Sequence, residues 1–185
     1  MSYEIAVKKA WDSVAGLTDK ERFSQRLLSD TYDIILPERR VLSLSCNAPA
    51  KDYTVIILLH YLAKKLGGSK IPDNTGEWID FNTLEGGEAY YPAFKKRTID
   101  RLITKYGRSP EELLTAASRM NAESSLTPDV SIIVRPFDEI AILIKMFRAD
   151  EEFGPDANIL FDSNISKIFC TEDVVVITEM IVHQL

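Results

Sequence analysis

Apolar positions recur at helical spacing in some stretches of the chain and at strand spacing in others. From Tyr3 to Val14, Ile5, Ala6, Ala10, Trp11 and Val14 fall near one face. This predicts a helix, with Gly16 as its left-handed terminator. Thr18-Asp19-Lys20-Glu21 reads as a capping box opening a second helix through Leu28, with Phe23, Leu27 and Leu28 on its apolar side. Tyr32–Leu36 and Val41–Ser45 read as strands of a hairpin turning at Pro37-Glu38-Arg39-Arg40. Asp52 then opens a strongly apolar helix, Tyr53–Leu66, whose Val, Ile and Leu content predicts burial on more than one side. Gly67-Gly68 ends it.

Ser69 to Gly87 is rich in turn residues and reads as a loop anchored by Trp78, Ile79 and Phe81. Pro92 is placed in the first turn of a helix running to Tyr106. Ser109-Pro110-Glu111-Glu112 opens another helix, continued by Leu113, Leu114, Ala117 and Met120. The C-terminal third turns β-branched. Val130–Val134 and Ile140–Phe147 form a second hairpin, and Asn158–Phe161 adds a strand. Thr171-Glu172-Asp173 caps a final helix with Val174, Ile177, Ile181 and Leu185 on one face. The strands cluster in hairpins and do not alternate singly with helices. The expected fold is therefore α+β: one domain over 1–185, with antiparallel hairpins packed against several helices.

Composition narrows the class further. The chain has 185 residues, 45% of them apolar and 27% charged, enough for a sizeable core without disulfides or metals. Its net charge of −6 argues against nucleic acid and anionic membrane as partners. No apolar stretch is long enough to span a bilayer or act as a signal segment. The two cysteines, Cys46 and Cys170, form no CxxC pair. A cytoplasmic protein with reduced thiols is expected. No GxGxxG, P-loop, GxSxG or HExxH motif is present.

Three groups of residues carry candidate chemistry. Arg97, Arg101 and Lys105 recur every four residues, with Lys95 and Lys96 beside them and Tyr90, Tyr91 and Phe94 as stacking surface. Such a stripe can hold a phosphate, a carboxylate-rich cofactor or an acidic partner. It is equally the charged exterior of an amphipathic helix. Asp150, Glu151, Glu152, Asp156 and Asp162 form an acidic stretch. Asp150, Glu152 and Asp162 are the candidate ligands for a hard divalent cation, or carboxylates for acid–base work. The alternative is a solvated loop. Cys46, His60, Cys170 and His183 make a Cys2His2 set only on paper, since zinc ligands come in close pairs. His60 reads as a core histidine, and both cysteines as small buried apolar residues.

Three signatures carry a family resemblance. The first is Leu84-Glu85-Gly86-Gly87-Glu88 with Tyr91-Pro92-Ala93-Phe94-Lys95-Lys96-Arg97. The second is Asp150 to Ser163, with Ile165-Ser166 after it. The third is Thr171-Glu172-Asp173 leading to Val182-His183-Gln184-Leu185. Together these resemble the uncharacterised prokaryotic family known as domain of unknown function 3786. The resemblance implies a setting in anaerobic bacteria and archaea, where some relatives carry an attached cysteine-rich iron–sulfur domain like those of corrinoid proteins. This chain has no such cysteine-rich segment, so the implied partner cluster lies on another polypeptide. Two stretches depart from the family pattern: Met146-Phe147-Arg148-Ala149, where a Trp-Glu-Gly stretch is common, and Cys170, where proline is usual.

These readings imply a non-catalytic binding or accessory domain for a small organic cofactor or a corrinoid or iron–sulfur partner protein in anaerobic metabolism, with a small anionic ligand as a further candidate partner. The alternatives are a divalent-metal-dependent enzyme using the acidic loop 150–162, and an oligomeric scaffold. No cofactor and no catalytic residue is named by spacing.

Overall fold

The computed structural model describes residues 3–126 and 129–185. Its elements bear out the α+β class: helices and two wholly antiparallel sheets. The chain divides into two compact units, Met1–Pro72 and Asp73–Leu185, each with its own sheet.

The first unit pairs helix α1 (Tyr3–Val14) with α2 (Asp52–Leu66) and holds a four-stranded meander. Its strands are β1 (Arg22–Leu27), β2 (Asp30–Ile35), β3 (Arg40–Ser43) and β4 (Ala48–Pro49), in that order. The apolar run of α2 is buried nearly all round: Val55, Ile57, Leu58, Leu59, Tyr61 and Leu62 are all inside. The expected hairpin at residues 37–40 is present, with Tyr32 opposite Ser43 and Ile35 opposite Arg40.

The expected helix over residues 18–28 is not formed. The Thr18 hydroxyl does accept from a backbone amide, but from Lys20, in a local turn. Arg22–Leu27 then runs as a strand paired with Asp30–Ile35. The hairpin turns through Leu28, which adopts a left-handed φ of 56° although it is buried.

The second unit is built on a five-stranded sheet in the order β5-β9-β8-β7-β6. The strands are β5 (Trp78–Asp80), β6 (Glu123–Leu126), β7 (Val130–Val134), β8 (Ile142–Phe147) and β9 (Asp156–Asp162). The β7–β8 hairpin and the β9 strand follow expectation. β5 lies where a loop was expected, and β4 and β6 were not anticipated at all. Val130, Ile132 and Val134 alternate inward on β7, while β8 is buried on both faces except at Lys145 and Phe147.

Helices α3 (Gly87–Arg97), α4 (Ile99–Tyr106), α5 (Glu112–Ser118) and α6 (Thr171–Gln184) complete the unit. The single helix expected from Pro92 to Tyr106 is in fact two. It begins earlier, so the exposed Pro92 sits inside α3, and it breaks at Thr98, whose backbone leaves the helical region at φ −125° and ψ −73°. The buried Thr98 hydroxyl donates to Phe94 O at 2.7 Å, the same carbonyl that accepts the Thr98 amide at 3.0 Å. α5 is entered through i→i+3 turns, and Ser109 makes no cap for it. No helix among the described residues is long and apolar enough to cross a membrane.

Candidate functional site: the basic face of α3 and α4

The seat of α3 is fixed by two glycines. Gly86 adopts φ 70° at the N-cap, and Gly87 presses against the 3-10 turn Phe81–Thr83 so closely that a Cβ would lie 2.1 Å from Phe81 O. This approach stacks Phe94 on Phe81, with ring centroids 4.0 Å apart and planes 5° apart. Phe161 of β9 tilts against both. Phe94 is therefore core, at 1% exposure. The aromatic surface left beside the basic residues is Tyr90, 47% exposed, with Tyr91 half-buried against Phe94.

The break at Thr98 divides the basic stripe between two helices, yet the stripe stays together along α6. Arg97 Nη1 lies 3.9 Å from Glu179 Oε2. Arg101 Nη1 lies 2.8 Å from His183 Nε2, and because guanidinium only donates, the facing ring nitrogen accepts. Lys105 Nζ donates to the Leu185 backbone oxygen at 2.6 Å, joined there by the Tyr106 hydroxyl. The partners follow the same direction along α6, Glu179 and then His183, and end at Leu185 just past it, so α3 and α4 share one seam with the final helix. The Thr171 hydroxyl, donating to Glu85 O at 2.7 Å, joins the first and third sequence signatures at the other end.

These cations differ in how firmly they are held. Lys95 pairs with Asp100, a hydrogen bond that raises the ammonium above its usual range. Arg101 and Lys105 are exposed, and each turns one nitrogen to the end of α6, at His183 and at Leu185. Arg97 is only loosely held: its side chain is 55% exposed, and 3.9 Å in solvent is worth little. Lys96 is exposed and has no partner among the described residues. Lys96 and Arg97, with Tyr90 beside them, are therefore the least engaged part of an exposed stripe.

The acidic candidates do not converge. Asp162 ends β9, while Asp150 and Glu152 lie in the turn that precedes it; the seven residues of β9 span roughly 20 Å. Asp162 is 1% exposed and saturated with donors: the Thr75 and Gly76 amides, the Thr75 hydroxyl and the Asn164 amide, all within 2.8–3.1 Å. Burial alone would raise its pKa, but these donors outweigh burial and hold it below the usual carboxylate range. Asp150 Oδ1 accepts from the Glu152 and Phe153 amides, which hold it low as well. Among the described residues no three His, Cys, Asp or Glu side chains gather as a metal site would.

The expected burial of both cysteines is corrected: Cys46 and Cys170 are exposed free thiols. Packing pushes the Cys170 thiol above its usual range even though it stands at the N-cap of α6. His60 is half-buried on α2, and His183 is exposed.

No sequence pattern points to the hydroxyl network of the first unit. Cys46 Sγ donates to Ser43 Oγ at 3.1 Å, and Ser43 Oγ donates to Asp30 Oδ2 at 2.5 Å. Burial pulls Asp30 upward, but the Ser43 and Ser45 hydroxyls and two amides overcome it and lower its pKa. A carboxylate stabilised in this way is a poor proton acceptor, so the relay ends on a group unsuited to activating the thiol. Burial beside Asp30 pushes the Tyr32 phenol up to about 12. Only the β2–β3 register brings these residues together.

The family model described as domain of unknown function DUF3786 matches residues 7–184. The chain belongs to this family. No curated protein and no solved structure matches it.

Proposed function

We propose that this DUF3786 chain is a non-catalytic binding or accessory domain, and that the exposed face of α3 engages an anionic group. The observation that supports this most is Arg97. It is a half-exposed guanidinium held only at the limit of ion-pair distance, with Lys96, unpaired among the described residues, next to it and exposed Tyr90 two helical turns away on the same face. A guanidinium and an ammonium beside an aromatic ring suit a carboxylate or phosphate attached to a flat or apolar body.

In the setting the family resemblance implies, that group belongs to a carboxylate-rich organic cofactor, or to the acidic surface of a corrinoid or iron–sulfur protein in anaerobic metabolism. The location is cytoplasmic on this reading. Nucleic acid fits poorly with a net charge of −6.

Titration calorimetry with citrate and with inorganic phosphate tests the face directly. The K96E/R97E double variant should lose binding while its thermal melt stays that of the wild type, because both side chains are outside the core. Unchanged affinity in that variant removes this face from the function.

A further inference from the structure

The connection between β8 and β9, residues 148–155, is a pinned tip that displays one aromatic ring. Asp150 closes the tip on itself: its carboxylate accepts from the Glu152 and Phe153 amides at 2.8 and 2.7 Å, and its own amide donates to Phe153 O at 2.9 Å. The tip is also anchored at both ends. Arg148 pairs with Glu111, just before α5. Pro155 lies against Gly107, where a Cβ would come within 2.9 Å of the proline Cγ.

On this fixed turn Phe153 stands 69% exposed, with the exposed Glu151 and Glu152 next to it. Neither glutamate side chain has an intramolecular partner among the described residues. An aromatic ring carried on a pinned backbone leaves only its side-chain rotation to be ordered on binding, which suits it as an interface anchor.

The same unit carries a face of opposite character on α3. Tyr90 and Arg97 are one heptad apart on its exposed side, Lys96 flanks them, and Ala93 and Pro92 leave the surface between them low and apolar. One surface offers an aromatic ring beside two anions; the other offers an aromatic shelf beside two cations.

We infer that the tip of one copy docks on the α3 face of a second copy, Phe153 against Tyr90 and Glu151 and Glu152 against Lys96 and Arg97. This rests on the proposed function, since it names the acidic tip of another copy as an anionic partner of that face. The contact is head-to-tail, so it builds open chains unless its rotation closes a ring. A single tip buries less than the roughly 1,200 Å² of a stable complex, so association is weak and depends on concentration and salt.

Sedimentation equilibrium of the full chain at low salt, from micromolar to millimolar, tests this. The average mass should rise with concentration for the wild type. F153S should weaken association about tenfold or more. Tip-reversed E151K/E152K and face-reversed K96E/R97E should each remain monomeric, and an equimolar mixture of the two should regain association, since each then meets a complementary surface. A wild type that stays monomeric throughout, or a mixture that does not recover, overturns the inference. If that monomeric wild type still binds citrate through Lys96 and Arg97, the proposed function stands and only the second copy is removed as its partner.

Discussion

Asp162 ties the end of β9 to the segment entering β5. Its carboxylate holds the Thr75 and Gly76 amides, and the neighbouring Ser163 amide donates to Glu77 O at 2.8 Å. Asp162→Asn keeps the shape but turns an amide toward backbone donors. The expected loss is about 2–3 kcal/mol, the scale of hydrogen bonds to a charged group, measured by urea denaturation. The pH dependence follows from the direction of the shift. The folded carboxyl is held below its unfolded value, so its contribution is full above the unfolded pKa and is lost as pH falls through the folded one. The stability gap between wild type and D162N should be flat near neutrality and narrow only below about pH 4. Sequence singled out Asp162, but as a metal ligand. Its true partners lie 86 and 87 residues away, a separation that no local pattern encodes. The exposure of Cys46 and Cys170 was hidden for a similar reason, since burial depends on which elements cover a residue.

Helix α3 owes its position to Gly87 and Phe94. Gly87→Ala places a methyl group against the Phe81 carbonyl and should cost about 1–3 kcal/mol, as overpacking does. Phe94→Ala empties the stack on Phe81 and should cost roughly 3–5 kcal/mol. Both are read by thermal or denaturant melts. Elements were legible where periodicity was long and unambiguous: α1, α2, α6 and the β7–β8 hairpin. Residues 18–28 misled because Thr18-Asp19-Lys20-Glu21 has the form of a helix start, while the hairpin turns at a left-handed Leu28 without the glycine or asparagine that usually marks such a turn. The break at Thr98 was invisible because hydrophobic spacing continues across it. The short edge strands β4, β5 and β6 are set by pairing with neighbours, not by their own pattern.

At the scale of the molecule, the α+β class followed from strands grouped in hairpins, and it holds in both units. The division at Pro72–Asp73 falls in a stretch with turn residues but no change of composition. The basic stripe was legible as a four-residue repeat; its docking along α6 was not, because the partners Glu179, His183 and Leu185 are some eighty residues distant. Anion binding by the exposed remainder of that stripe should weaken steeply as salt rises, since the charges involved face solvent and the screening length is about 10 Å at 0.1 M. Calorimetry across a salt series checks this. The proposed role of this face is to hold an anionic ligand or partner. Native mass spectrometry of protein purified anaerobically from its own host, beside the K96E/R97E variant expressed in the same way, tests it most directly. The wild type should carry a bound organic anion or acidic protein that the variant has lost. Wild type and variant carrying the same species, or both arriving bare, would contradict it.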